Sequence, residues 1–213
     1  MSDLLNREER EAIEAAVREA ESASGAEIVP VLLHSSGGYP VADARGAATG
    51  ALFGSLASLA APFALAASAA DSAWVGTIAV AVGALAGLAL ARIDGVRRLL
   101  AGGEVEERVD AAAAREFLAR GIFRTRNQTG ILLVVSLFER QVRVLADEGV
   151  YRAIARPAWE RLAADVAREM KSSAPGDALL SAVRAAGALV AKYGPRHAQD
   201  DVNELPDIPS GRG

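Results

Sequence analysis

Few residues of this sequence could do acid–base or metal chemistry, and the clearest pair follows a strand-like segment. Asp147 and Glu148 come directly after "QVRVLA". Ligand sites in α/β folds lie beyond strand ends, and two adjacent carboxylates could help to bind a hard cation, Ca²⁺ or Mg²⁺. Because Ca²⁺ takes about six to eight oxygens, Glu27, Asp110 or Asp177 would have to join them in space. An acidic turn where the chain leaves the sheet is the alternative, and we favour it.

Other catalytic chemistry has little support in the sequence. The chain has no cysteine, which excludes disulfides and thiolate nucleophiles, and its two histidines, His34 and His197, lie in no recognisable triad or metal motif. No glycine-rich phosphate loop follows a strand. The sequence therefore predicts no complete catalytic constellation and no cofactor beyond the hard cation considered above.

A second group of polar residues could recognise a partner. It comprises a connector before the predicted sheet, a hairpin turn and the tail segment "NELPD", with Arg126, Thr129, Arg140, Asn203, Glu204 and Leu205 as candidates. We prefer the alternative that the connector satisfies its own backbone. Arg140 could bind an anion or pair with Glu139, although side chains in a hairpin turn are usually solvated. We interpret "NELPD" as a segment that docks on the domain itself, with partner binding as the alternative.

Composition narrows the class of protein. The 213 residues carry a formal charge of −4, and they are 51% hydrophobic but only 5% aromatic. Neither end of the chain is basic enough to indicate nucleic-acid binding. The N-terminal segment is highly charged and lacks the short apolar region of a signal peptide, so we expect it not to be exported.

The most unusual feature is the apolar stretch 46–91. It divides into 46–70 and 74–91, which as helices would measure about 37 and 27 Å against a hydrocarbon core of about 30 Å. Asp71 and Ser72 between them suit a tight turn, with Trp74 at the interface. The stretch predicts a two-helix transmembrane hairpin. Two buried helices of a soluble bundle are the alternative, but a helix that is apolar on every side needs apolar surroundings.

Small residues and flanking charges refine the hairpin. Two rows of residues four apart would let the helix backbones approach closely: Gly46, Gly50 and Gly54, and Ala79, Gly83, Gly87 and Ala91. An alanine- and glycine-rich composition is the alternative reason for these rows. Arginines flank both outer ends, at 45, 92, 97 and 98, so the positive-inside rule places both ends in the cytoplasm. We therefore expect an integral inner-membrane protein with a cytoplasmic domain.

The remaining segments predict one α/β domain split by that hairpin. Before the hairpin, a helix over 3–22, capped by Ser2 or Asp3, precedes the strand "AEIVPVLLH". After the hairpin we expect a helix over 104–119, then the strands "ILLVVSLF" and "QVRVLAD", and then two helices that begin near Pro157 and Pro175. One strand cannot form a stable sheet, so residues 1–45 must pack with residues 104–193, within the remainder of the domain at 92–193. Residues 194–213 form an extended tail.

The segment "RTRNQTGILLVVSLFERQVRVLADEGVYRAIARPAWERLAADV" together with "NELPD" resembles the TPM-domain family. The similarity is to its bacterial branch with an inserted membrane hairpin. The family is named after a thylakoid lumen protein of photosystem II repair and a modulator of acetylcholine receptors.

This resemblance implies a small central sheet flanked by helices. It also implies three expected activities: acid phosphatase activity, divalent metal binding near acidic strand ends, and assembly or repair of membrane complexes. Acidic loops are sparse here, which weakens the case for metal binding or phosphatase activity. The hairpin, the lack of a complete catalytic constellation and the resemblance together favour a non-enzymatic accessory module that contacts the bilayer and other membrane proteins. A metal-assisted phosphatase-like hydrolase near Asp147 is the alternative, and the oligomeric state is not predicted.

Overall fold

A computed structural model describes residues 4–65, 69–125, 128–194 and 210–212, with the backbone alone at 60–65, 69–73 and 210–212. The chain is mostly helical with a small mixed sheet, an α/β fold. Its helices are α1 (Arg7–Ser24), α2 (Pro40–Leu65), α3 (Ala69–Leu90), α4 (Asp94–Ala101), α5 (Glu104–Ala119), α6 (Glu148–Ala153), α7 (Arg156–Glu169) and α8 (Pro175–Tyr193). Its strands are β1 (Glu27–Leu33), β2 (Gly130–Ser136), β3 (Gln141–Ala146) and β4 (Ser210–Arg212).

The chain forms two compact units. The first contains residues 1–37 and 108–213, and the second contains residues 38–107. The first unit holds the sheet, with strand order β3-β2-β1-β4. β1 pairs in parallel with β2 from Glu27 opposite Gly130 to Leu33 opposite Ser136, and β2 pairs antiparallel with β3.

Apolar residues cover both faces of the two central strands. On one face Ile28, Leu32 and Leu133 pack with Trp159 of α7 and Leu179 of α8. On the other face the alternate residues Val29, Val31, Leu132 and Val134 pack with Ala112 and Ala113 of α5 and with Ile122. Burial on both sides explains why β1 and β2 are continuously apolar in sequence, since each buried large side chain contributes about 1.5–3 kcal/mol.

Pro30 lies inside β1, although proline cannot donate a backbone hydrogen bond. The sequence predicts an edge or irregular position for it. The short strand β4 pairs only with Val31–Leu33, so at Pro30 the described part of β1 has β2 as its one neighbour. The missing N–H is therefore compatible with the sheet.

The start of α1 differs from the expected start at residue 3. The helix begins at Arg7 because Asn6 caps it: Glu9 N donates to Asn6 Oδ1 and Asn6 N donates to Glu9 Oε2, both at 2.8 Å. This reciprocal pair satisfies two N–H groups at the helix start. The helix ends at Gly25, whose φ of 66° is in the left-handed region that favours glycine.

The second unit is built on the antiparallel pair α2 and α3. The expected bounds were 46–70 and 74–91, whereas α2 begins at Pro40 and ends at Leu65, and α3 begins at Ala69. Asp71 and Ser72 therefore lie in the first turn of α3 instead of in the connecting turn. The alanines at 69, 70 and 73 have the highest helix propensity, which accounts for the earlier start.

Apolar residues are distributed all round α2 and α3, with no preferred face. Among the described residues no single helix meets the length and hydropathy of a membrane span. One helix pair, Trp74–Leu90 with Asp94–Ala101, meets them together and is bent by 100° at its break.

Candidate functional site

The carboxyl ends of β1 and β2 carry a buried polar cluster, which we call the serine–glutamate cluster: Ser36, Ser136 and Glu139. Parallel strands end at the same edge of a sheet, so residues 100 positions apart meet there. The hydroxyls of Ser36 and Ser136 lie 2.8 Å apart. The three residues are 4%, 0% and 6% exposed, respectively.

Glu139 is the acceptor at the centre of this cluster. Its Oε1 accepts hydrogen bonds from Ser36 N at 2.8 Å and from Ser35 Oγ at 3.2 Å, and its Oε2 accepts one from the Ser136 hydroxyl. The backbone strengthens the same junction, because Leu137 N donates to Leu33 O at 2.9 Å. By accepting these hydrogen bonds, the Glu139 carboxylate connects the loop after β1 to the β2–β3 turn. The donors occupy its oxygens, so the geometry favours a structural role over general-base catalysis.

Sequence reasoning missed this cluster. From sequence, Glu139 is identified only as a possible partner of Arg140, and the two serines are not identified. Arg140 is exposed in the β2–β3 turn, with a φ of 54° and its N–H donating to Leu137 O. The sequence feature that could have indicated the cluster is the polar pair Ser35–Ser36 after one buried strand, together with Ser136 at the end of the next buried strand.

Asp147 and Glu148 lie at the opposite end of the sheet, where β1 and β2 begin. Asp147 N donates to Gly130 O, and its Oδ1 caps α6 by accepting from Glu148 N at 2.8 Å. Glu148 is exposed and pairs with Arg152 at 2.6 Å. The two carboxylates thus stabilise the start and the surface of a helix of six residues.

The structure does not assemble the acidic residues proposed to join them. Glu27 is buried at the start of β1, Asp110 of α5 pairs with Arg143 at 2.5 Å, and Asp177 lies in the first turn of α8. Among the described residues no three aspartates, glutamates or histidines come together as metal ligands. The donor set therefore does not fit a Ca²⁺ site, which needs about six to eight oxygens.

The remaining partner-binding candidates divide into two groups. Thr129 is 2% exposed: its N–H donates to Thr125 Oγ1 at 2.9 Å and its carbonyl accepts from Glu27 N. It therefore supports the connector instead of presenting a side chain to a partner. Arg126, Asn203, Glu204 and Leu205 lie outside the described residues.

The structure brings the predicted rows of small residues together in the second unit. We call this contact the glycine seam: Gly46, Gly50 and Gly54 of α2 against Ala79, Gly83 and Gly87 of α3, with Ala91 beyond the end of α3. A methyl group added at Gly50 would lie 2.1 Å from Gly83 O, and one at Gly87 would lie 2.1 Å from Gly46 O. Backbone therefore meets backbone, and only glycine fits.

Large apolar side chains point away from the glycine seam. We call this the outer apolar surface: Leu52, Phe53, Leu56, Leu59, Trp74, Ile78, Val82 and Leu85, each between 55% and 72% exposed. Soluble monomers rarely expose a contiguous patch above a few hundred Å², and such patches mark protein or membrane contacts. This surface is the strongest indication of function in the second unit.

Glu139→Ala is expected to lower the free energy of unfolding by about 3 kcal/mol, because it leaves buried donors without their charged acceptor. The control Ser35→Ala removes one half-buried hydroxyl and should cost less than about 1 kcal/mol. Urea unfolding of the full chain in detergent micelles, followed by near-ultraviolet circular dichroism, measures both. Equal stability of Glu139→Ala and wild type would contradict the assigned role.

Gly50→Val is expected to separate α2 from α3 by about 2 Å, toward the 8–10 Å spacing of ordinary helix pairs. Spin labels at Leu52→Cys and Leu85→Cys would report the distance, because both side chains are exposed. Gly76→Ala is the control, since its methyl would meet Ser58 Cβ at an ordinary 3.7 Å. An unchanged distance in Gly50→Val would mean that the glycine seam does not set the spacing.

Comparison with known proteins supports the fold. Residues 96–189 match the model of the TPM domain family. The NMR structure of BA42 protein from the psychrophilic bacteria Bizionia argentinensis is similar to this chain, with a TM-score of 0.59 and 18% sequence identity over 100% of this chain and 98% of that one. At that identity the similarity shows the fold alone. No curated protein matches the chain. The predicted resemblance to the TPM-domain family is therefore confirmed over residues 96–189.

Proposed function

We propose that this chain is a membrane-anchored TPM-domain protein that acts as an accessory or interaction module for other membrane proteins. The observation that carries the proposal is the outer apolar surface of α2 and α3. If these helices were in water, the solvent would contact a broad band of leucine, valine, isoleucine and aromatic side chains. In a bilayer the same side chains would contact lipid, and the free energy gained is about 25 cal/mol per Å² of apolar area removed from water.

The glycine seam supports the same environment. Between lipid-embedded helices the hydrophobic effect does not drive association, so close backbone packing through small residues takes its place. Each glycine of the seam lies against backbone of the other helix. Both segments are helical, and a helix pairs the backbone groups between its terminal turns within the segment, as a hydrocarbon core requires.

Charges at one end of the hairpin support the proposed orientation. Arg45 donates to Leu100 O at 2.6 Å, Arg92 lies 3.7 Å from Asp43, and the Arg97 guanidinium lies 5.7 Å from the centre of the Tyr39 ring. These arginines belong to the end where α2 begins and α3 finishes. By the positive-inside rule we place that end, and with it both chain termini, on the cytoplasmic side of the inner membrane.

Helix α4 fits an interfacial position. It is bent by 100° from α3, and it is amphipathic, with Arg97 and Arg98 beside the apolar Leu99, which is 81% exposed. A short helix of this kind lies in the plane of a membrane surface, with its apolar side chains among the acyl chains and its arginines at the headgroups. We infer that α4 marks the cytoplasmic boundary of the anchor.

Membrane association is tested by flotation with vesicles of phosphatidylethanolamine and phosphatidylglycerol after a carbonate wash. The wild-type chain is expected to float with the lipid. A variant with serine at Leu52, Phe53, Leu56 and Leu59 should remain at the bottom of the gradient, because four lipid contacts are lost. Leu118→Ser, which changes an exposed leucine of the first unit, is the matched control and should float. Recovery of the wild-type chain in the soluble fraction would contradict the anchor.

A metal-assisted hydrolase centred on Asp147 has one observation in its favour. Asp147 Oδ2 is buried and has no hydrogen-bond partner among the described residues. The other acidic residues considered do not complete a site, because Glu148 is paired with Arg152 and Asp110 with Arg143. The accessory role therefore remains the better-supported function, and we assign no catalytic step to Asp147.

A further inference from the structure

The backbone groups along the side of β1 that faces away from β2 are satisfied in different ways. Glu27 N donates to Thr129 O at 3.3 Å, so Glu27 and the alternate residues after it turn their N–H and C=O groups toward β2. The residues between them turn these groups to the other side of the strand. We call this side the outer edge of β1, and its residues are Ile28, Pro30 and Leu32.

The first half of the outer edge of β1 does not accept a further strand. Ile28 N donates to Oε1 of Glu21, a residue of α1, at 2.8 Å. Pro30 has no N–H group to donate. Charged side chains and prolines are means by which natural sheets prevent pairing at an edge. A further strand can therefore pair only around Leu32.

Strand β4 of the same chain pairs at that position. It runs parallel to β1, with Gly211 opposite Leu32. In a parallel ladder an outward residue bonds to the residues before and after the one opposite it, which assigns Ser210 O to Leu32 N and Arg212 N to Leu32 O. The amide of Leu32 is therefore paired with β4, whereas the neighbouring amides of β1 face β2.

β4 is a weak strand for the position that it occupies. It is three residues long, whereas β1 and β2 each have seven. Its sequence is Ser-Gly-Arg, and Pro209 comes directly before it. Glycine and proline are disfavoured in strands, whereas valine and isoleucine, which recur in β1 and β2, are favoured. Segments held by few hydrogen bonds open locally while the rest of a structure stays folded, so we expect β4 to detach from β1 by itself.

We propose that β4 is a displaceable cover on a strand-docking site at Leu32, on the outer edge of β1. While β4 is bound, the site is closed. An extended segment of a partner protein that has a higher strand propensity replaces β4 and pairs in parallel with β1, so the partner binds by adding a strand to the sheet. The site gives the accessory role a means of partner recognition that the chain's own C-terminal strand regulates, and the proposal rests on that role. It does not depend on membrane insertion.

A second copy of the chain fits this site less well than a partner segment. Two copies that paired edge to edge would each bring Pro30 and the Glu21 carboxylate against the other, so the ladder between them would be interrupted. A copy that exchanged its own β4 would supply the same weak strand. We therefore expect a partner segment of β-branched and aromatic residues, which pair more strongly than serine and glycine.

Hydrogen exchange of the full chain in detergent micelles, followed by NMR, tests whether β4 detaches by itself. The amide of Leu32 should exchange about tenfold faster, or more, than those of Val31 and Leu33, because local opening of β4 leaves the β1–β2 pair intact. Ser210→Val raises the strand propensity of β4 and should slow exchange at Leu32 about threefold. Gly213→Val, which changes the residue after β4, is the matched control and should leave that exchange unchanged.

A peptide probe tests whether the site accepts a strand from another molecule. Arg212→Pro removes the N–H assigned to Leu32 O and should release β4. A synthetic peptide of residues 207–213 that carries Ser210→Val should bind this variant and restore slow exchange at Leu32. It should bind the wild-type chain about tenfold more weakly, because β4 of the same chain competes for the site.

Three results would overturn the proposal. The amide of Leu32 exchanges as slowly as those of Val31 and Leu33, the peptide binds both chains equally or binds neither, or Arg212→Pro dimerises and its Leu32 amide is protected without peptide. In vesicle flotation Arg212→Pro should behave like the wild-type chain whichever of these results is found, so the membrane anchor and the docking site can fail independently.

Discussion

Parallel pairing between β1 and β2 is the interaction on which the rest of this structure depends. It joins Glu27–Leu33 to Gly130–Ser136, and the second unit lies in the chain between them. A parallel pair needs a crossover connection, and here that connection contains α2 to α5. Because the chain must leave the first unit after Gly37 and return to it at Arg108, any membrane segment in between has to cross an even number of times. A pair of antiparallel helices satisfies that constraint, because the start of the first helix and the end of the second lie on the same side.

The same pairing creates the serine–glutamate cluster. Parallel strands end side by side, and the loops that follow them bring Ser36 next to Ser136, within reach of Glu139. The cluster therefore results from the parallel pairing of β1 with β2, and its hydrogen bonds stabilise that pairing in turn. Asp147, in contrast, follows an antiparallel strand and lies at the other end of the sheet, where it caps α6. Strand direction thus separates the acidic pair that was considered for metal binding from the polar cluster at the parallel strand ends.

Local sequence patterns predicted much of the fold. The uninterrupted apolar run of β2 and the alternation of residue types in β3 predicted the antiparallel β2–β3 pair. Pro157 and Pro175 predicted the starts of α7 and α8. Glycines at intervals of four identified the residues that meet between α2 and α3. The predicted helix starts were wrong where nearby residues favoured another start. Asn6 caps α1 in place of Ser2 or Asp3, and the alanines before and after Asp71 extend α3 toward its N-terminus. The serine–glutamate cluster was not predictable, because it depends on which strands become neighbours in the sheet.

We propose that α2 and α3 cross the inner membrane as a hairpin, with the first unit in the cytoplasm. The chain has no cysteine, so single cysteines can report the side of the membrane directly. Ser72→Cys places one in the first turn of α3, at the end of the hairpin away from the arginines, and Ser22→Cys places one on exposed α1. In intact spheroplasts a membrane-impermeant maleimide is expected to label the Ser72→Cys variant, and to label the Ser22→Cys variant only after permeabilisation. Labelling of Ser22→Cys in intact spheroplasts, or protection of Ser72→Cys there, would contradict the account.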